Sequence, residues 1–232
     1  MYGLARVEIM TNSTHAYYYV ENAKEKSLSG LYQDAINDYT QAINLLSQVS
    51  PNAEEDFVDY GDYEEAYNER SRLHILLEQY DQAIGDLRKI IALKNELKND
   101  ALDETFSIND LKPSPELMLI GLCKYQLEDY KSAKSYLTKA IELYKSSPSL
   151  QDWNSYQLGY CYILRGETAY MLGERSKAYE DWKIALDLDG LAQALKFETP
   201  QQSPYPDDFE DWIKSYGLPM IAKEFKKYCI NI

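Results

Sequence analysis

Four stretches of the chain repeat one template: QDAINDYTQAINL around Ala35, DQAIGDLRKIIAL around Ala83, KSAKSYLTKAIEL around Ala133 and SKAYEDWKIALDL around Ala178. In each, the small residue is followed four positions on by Tyr39, Leu87, Leu137 or Trp182, and three further by Ala42, Ile90, Ala140 or Ala185. Steps of three and four residues place these side chains on one face of a helix, and small residues there let a second helix approach closely. Upstream of each stretch lies another candidate helix. The joins carry Gly30-Leu31-Tyr32, Glu78-Gln79-Tyr80, Glu128-Asp129-Tyr130 and Gly173-Glu174-Arg175. The predicted unit is therefore a helix pair turning near Gly30, Gln79, Asp129 and Gly173, and the predicted class is all-α.

This pattern resembles the tetratricopeptide repeat, in which the first helix carries a large residue and then a small one, and the second carries an Ala, an aromatic and a second Ala. The resemblance covers most of residues 16–190. It is fullest in YILRGETAYMLGERSKAYEDWKIALDLDG, where Tyr162, Gly166, Gly173, Ala178, Trp182 and Ala185 match; in the third unit Gly121, Tyr130, Ala133 and Ala140 match. The second unit departs with Ser71 and Ile90 at small-residue positions, and the fourth with Arg175 at the turn aromatic. The leading helix of the first unit, YYYVENAKEKSLSG, matches only loosely. The resemblance implies a right-handed α-solenoid of antiparallel helix pairs.

Successive marker alanines are 48, 50 and 45 residues apart, against about 34 for the family repeat. The extra residues follow the second helices, and structureless loops of that length are uncommon in compact domains, so part of them is expected to lengthen the flanking helices. Ser114-Pro115 and Pro51-Asn52 read as helix starts. These features divide the chain into a repeat array over 1–190, with units at about 16–46, 64–94, 115–145 and 152–188, and a tail over 191–232. In the tail, DDFEDWIKSYG and PMIAKEFKKYCI read as two short amphipathic helices after Pro200, Pro204 and Pro206. An atypical terminal element normally covers the apolar end of a solenoid, so the tail is expected to be a cap.

With 38 Asp and Glu against 24 Lys and Arg, the formal charge is -14. Such a chain repels nucleic acid and anionic membrane, and its expected partner is a neutral or basic protein or peptide. There is no apolar run long enough to cross a bilayer, and MYGLARVEIM lacks the apolar stretch of a signal peptide, which together predict a cytoplasmic protein. Cys123, Cys161 and Cys229 are widely spaced without a CxxC and read as buried thiols.

The motifs of common chemistries are absent: no GxxxxGK[ST], GxGxxG, HExxH or GxSxG occurs. His15 and His74 sit in different units without a neighbouring nucleophile motif, and His74 between Leu73 and Ile75 reads as a packed histidine. The acidic run Glu54, Glu55, Asp56, Asp59, Asp62, Glu64 and Glu65 lacks the spacing of a calcium loop and reads as a solvated face or the first turn of a helix, with attraction of a basic partner as a second reading. The sequence thus predicts no catalytic residues, no metal and no cofactor.

The resemblance implies that the first helices line a concave groove that binds a peptide or a partner's helix. On this chain the lining positions are Tyr17, Val20 and Lys24; Asn68 and Arg72; Met118, Leu122 and Tyr125; and Tyr160, Ile163, Glu167 and Tyr170. Tyr and Arg are the residue types that dominate binding hot spots. An equally open reading has the inter-repeat segments filling the groove. Chaperone-binding members grip a C-terminal carboxylate with Lys, Asn and Arg, whereas the corresponding residues here are Val20, Lys24, Glu69, Pro115 and Leu119. Only Lys24 is kept, and Glu69 repels a carboxylate. The sequence therefore predicts a non-catalytic adaptor, scaffold or regulator; the alternative is an acidic inhibitor that mimics nucleic acid in a basic cleft.

Overall fold

A computed structural model describes residues 12–48, 60–100, 114–146 and 151–188. They form eight helices: α1 (Asn12–Leu28), α2 (Tyr32–Leu46), α3 (Tyr60–Leu76), α4 (Tyr80–Asp100), α5 (Ser114–Gln126), α6 (Tyr130–Lys145), α7 (Gln151–Met171) and α8 (Arg175–Asp187). No strand occurs among the described residues. All four turns fall where the repeat pattern puts them. Some of the extra chain length lies in helix, since α4 and α7 each run 21 residues. The helix start read at Ser114-Pro115 opens α5. Pro51-Asn52, Glu54 to Asp59, Cys229 and the expected capping tail lie outside the described residues.

The helices fall into two compact units, divided between Leu77 and Glu78. In the first, α1 packs on α2, α2 on α3, and α1 touches α3. In the second, α4 packs on α5, α5 on α6, α6 on α7 and α7 on α8, with a further contact of α5 to α7.

Each first helix ends by the same device. Gly30, Glu78, Glu128 and Gly173 all have positive φ, at 76°, 59°, 57° and 78°. A left-handed residue lets the chain double back while the last carbonyls of the helix stay bonded. The Gly30 N–H donates to the Ser27 carbonyl and the Leu31 N–H to that of Lys26, at 3.0 and 2.9 Å. The same pair of bonds recurs from Glu128 to Tyr125 and Asp129 to Lys124, and from Gly173 to Tyr170 and Glu174 to Ala169. Asp129 then caps α6, accepting from the Ser132 N–H at 3.3 Å. That bond holds its carboxyl below the usual range, helped by Lys124.

Counting back seven residues from these turns gives Ala23, Ser71, Gly121 and Gly166, and counting forward five gives Ala35, Ala83, Ala133 and Ala178. All eight are buried. The loosely matching first unit thus carries the template's small residue at Ala23, and Ser71 fits that position because its hydroxyl is spent within the helix, donating to the Asn68 carbonyl at 2.7 Å. At Gly166 a methyl group would sit 2.4 Å from Nε1 of Trp182, so α7 and α8 touch there with no room for any other residue. The Trp182 indole is fully enclosed, and its N–H donates to the Ile163 carbonyl at 3.3 Å. Ala35, Ala133, Ala140, Ala178 and Ala185 are buried as the pattern requires, and Ile90 fills its alanine position without exposure.

Two joints between successive pairs share a polar contact. Arg70 on α3 donates to the Thr40 hydroxyl on α2 at 2.9 Å and lies 5.4 Å from the Tyr67 ring centre. Arg165 on α7 reaches the Thr138 hydroxyl on α6 at 3.4 Å, lies 5.2 Å from the Tyr162 ring centre and grips Asp181 with two nitrogens at 2.6 and 2.8 Å. The α4–α5 joint differs. There Lys94 and Glu116 form an ion pair at 2.8 Å that is almost wholly shut from solvent.

Candidate protein-binding faces

The first-helix positions singled out in the sequence fall on matching stripes, because each stands at a fixed offset from the small residue of its unit. Tyr17 and Tyr160 lie six before it; Val20, Asn68, Met118 and Ile163 lie three before it; Lys24, Arg72, Leu122 and Glu167 follow it directly; and Tyr125 and Tyr170 lie four after it. Their surroundings differ between units.

In the first unit the stripe is open at its start. Tyr17 is 64% exposed, and its neighbour Tyr18 59%. Val20 turns inward and belongs to the core with Ala16 and Ala23. Lys24 bridges the two first helices, pairing with Glu21 at 3.0 Å and with Glu65 of α3 at 2.6 Å. The Glu65 bond, then Glu21, pulls its pKa above the ordinary lysine value against a burial cost. Arg72, half-buried beside Asn68, pairs with Glu69 at 3.0 Å. Burial nonetheless raises the Glu69 carboxyl above the usual range, with Arg72 opposing and Glu65 adding to the shift.

In the second unit the stripe is closed. Met118, Leu122, Tyr160, Ile163 and Glu167 are buried, and Tyr125 and Tyr170 are half-buried. Tyr125 on α5 and Glu167 on α7 come close enough to influence one another: the Tyr125 phenol is pushed up to about 12, first by burial and then by the Glu167 carboxylate. The turn residues close the end of the face. The Tyr130 ring meets Tyr125 edge-on at 5.7 Å, and Arg175, which stands where the template has an aromatic, lies 5.8 Å from the Tyr170 ring centre. An arginine plane thus occupies the aromatic's place.

His15 is exposed on α1 and His74 buried on α3. Cys123 and Cys161 are buried and in no disulfide, and burial pushes the Cys161 thiol far above its ordinary value, leaving it protonated and inert. No helix among the described residues is long and apolar enough to cross a membrane.

Residues 117–147, which span most of α5 and all of α6, match the family model described as the tetratricopeptide repeat. Residues 8–110, less than half of the chain, match the model described as the MIT domain of autophagy-related protein 38. No curated protein matches the sequence. Among solved structures, the crystal structure of BtubC (BKLC) from P. vanneervenii is similar at 14% identity and a TM-score of 0.58, over 88% of this chain and 71% of that one. MamA of AMB-1 (13% identity, TM-score 0.38, 78% of this chain and 96% of that one) and YrrB, described as a TPR protein with an unusual peptide-binding site (20%, 0.39, 78% and 92%), resemble it more distantly. Likeness at that level says nothing about the faces described above. The repeated turns and the buried small residues extend the pattern of the matched repeat, residues 117–147, to four helix pairs. The chain is an all-α array of consecutive helix pairs, the architecture of a protein-interaction module.

Proposed function

We propose that the chain is a non-catalytic adaptor, scaffold or regulator that holds a neutral or basic protein or peptide on its first-helix faces, and that it does so in the cytoplasm. The observation that carries this reading is the stripe of the first unit. Tyr17 is exposed there, on the same first-helix stripe as Lys24, Asn68 and Arg72. Tyrosine and arginine give large contact area and a polar tip with few rotatable bonds, which suits them to recognition. The half-buried, pKa-raised Glu69 favours a partner that brings positive charge, because an incoming cation lowers the cost of keeping that carboxylate ionised. The nucleic-acid-mimic reading gains nothing from the described helices. Their carboxylates are interleaved with cations that bind them, as in Lys26 with Asp38 and Arg165 with Asp181, whereas a phosphate mimic needs an unbroken anionic ridge.

The test is affinity capture from the native host with the full chain and its Tyr17→Ala and Arg72→Ala variants. We expect one protein to be retained by the wild type and lost by both folded variants, a loss of about 2 kcal/mol, or roughly thirtyfold in Kd, for a hot-spot residue. Retention of every captured protein by both variants would remove this stripe from the binding surface.

A further inference from the structure

Among the second helices, α2 is acidic and the shared face of α6 and α8 is basic. α2 carries Asp34 and Asp38 and no lysine or arginine. α6 carries four lysines and a single carboxylate, Glu142, and of those lysines Lys131, Lys139 and Lys145 are exposed. α8 exposes Lys177 and Lys183 beside Glu180, while its Asp181 is buried against Arg165. On α4 of the same unit Arg88 and Lys89 are exposed at the registers of Lys183 and Lys139, five and six residues after the marker alanine. In a chain of 38 acidic and 24 basic side chains, the α6–α8 face therefore holds a local excess of cations.

Helix packing does not account for these lysines, because they stand in solvent. Lys131, Lys139 and Lys183 pair with no carboxylate among the described residues. The faces of α6 and α8 adjoin: Lys134 of α6 and Lys177 of α8 both reach the Glu174 carboxylate at the start of α8, the second at 3.0 Å. One carboxylate between two ammonium groups leaves that junction positive. Like charges held on one surface repel, and an arriving anion relieves the repulsion.

The face also sets the chemistry of what it holds. None of the exposed large apolar side chains among the described residues lies on α6 or α8, so the face has no wedge to enter a bilayer and no exposed ring on which a base stacks. Its unpaired cations are lysines, point charges without the planar fork that grips a phosphate through two oxygens. A nucleic acid or a membrane also extends past the face onto the acidic remainder of the chain, whereas a short acidic peptide stays within it.

We propose that the α6–α8 face is a second docking surface, which holds an Asp- and Glu-rich segment of a partner protein on Lys131, Lys139 and Lys183. It is independent of the first-helix stripe, whose partner is neutral or basic, so the two surfaces let one chain bridge partners of opposite charge.

The experiment uses the full chain and a fluorescent oligoglutamate peptide, with oligoglutamine of the same length as the neutral counterpart, and binding is read by anisotropy. We expect the wild type to bind oligoglutamate and not oligoglutamine, with an affinity that falls as salt is added. Lys139→Gln combined with Lys183→Gln is expected to weaken binding about fivefold or more, the scale of two exposed ion pairs, with the thermal melt unchanged. Gln33→Glu combined with Gln41→Glu, both exposed on α2, alters the net charge equally and is expected to leave the affinity as it was. Absence of oligoglutamate binding, equal binding of oligoglutamine, or an equal loss in the two double variants would each overturn the proposal. Tighter binding of oligothymidylate or of phosphatidylserine vesicles than of oligoglutamate would overturn it in favour of a nucleic acid or a membrane. Self-association of the free chain that the two lysine changes abolish would instead assign the face to a second copy.

Discussion

Three of the helical glycines, Gly85, Gly121 and Gly166, turn one chemical change into three different experiments. In each, substitution by alanine removes the conformational freedom of glycine in the unfolded chain and returns about 1 kcal/mol of helix propensity. At Gly85 on α4 nothing lies within 4 Å of the added methyl, so that gain is expected in full. At Gly121 the methyl meets Cγ and Cδ2 of Leu137 at 2.7 and 2.9 Å, atoms of a buried side chain that can shift only against its neighbours. A cost of about 1 kcal/mol there cancels the gain. Gly166 is the severe case, because the methyl meets Nε1 and Cδ1 of Trp182 at 2.4 and 2.5 Å and the Ala178 carbonyl oxygen at 3.1 Å. The indole cannot swing away: Tyr170 and Tyr179 pack on it at 5.9 and 5.7 Å, and its N–H is bonded to Ile163. Overpacking costs about 1–3 kcal/mol, and loss of the buried indole bond adds about 1 kcal/mol. Net of the propensity gain, Gly166→Ala is expected to destabilise by about 2 kcal/mol. Urea denaturation followed by circular dichroism measures all three, with midpoints compared at constant slope. A Gly166→Ala midpoint equal to or above wild type would refute the close α7–α8 contact, and a Gly85→Ala midpoint below wild type would refute the open environment assigned to that glycine.

Two further outcomes follow from the turns and the buried charges. Glu128→Gly places at φ 57° a residue that adopts it freely and is expected to stabilise the chain by up to about 1 kcal/mol, while Gly173→Ala at φ 78° costs about as much; thermal melts showing the opposite order would refute the turn assignment. Lys94→Met strands the Glu116 carboxylate and is expected to cost about 3–5 kcal/mol, whereas Lys94→Met combined with Glu116→Leu recovers most of it; a double variant no better than the single one would show that the pair does not act as a unit.

The helix pairs were legible because the small residues recur at spacings that only helix contact requires, and Ala35, Ala133, Ala140, Ala178 and Ala185 are buried accordingly. Ala23 was hidden in a run of tyrosines and charges, although its position seven residues before Gly30 would have found it. The left-handed residues Glu78 and Glu128 carry no local signal, because glutamate gives no hint of positive φ; only alignment on Gly30 and Gly173 exposes them. The stripes of candidate binding residues could be placed in register from the sequence. Their accessibility could not: Tyr17 is exposed and Tyr160 buried at the same register, because α7 packs on α5, α6 and α8 whereas α1 packs on α2 and α3. The Lys94–Glu116 pair joins residues 22 apart across a segment with no repeat pattern, and nothing in the sequence couples them.

The joints between helix pairs also carry an address. At α2–α3 and at α6–α7 the same plug, an arginine placed just before the small residue, fits the same socket, a threonine five places after the marker alanine. Two identical fittings are interchangeable, so a chain built only from them could join its pairs in the wrong order or splice into another copy with little loss. The α4–α5 joint accepts neither: Ile120 stands in place of the arginine and Arg88 in place of the threonine, and Lys94 and Glu116 form a buried ion pair there. A mismatched assembly would leave an unpaired charge in an apolar seam, which is the costliest error available to it. The odd joint therefore penalises a wrong partner in a way that the two like joints do not.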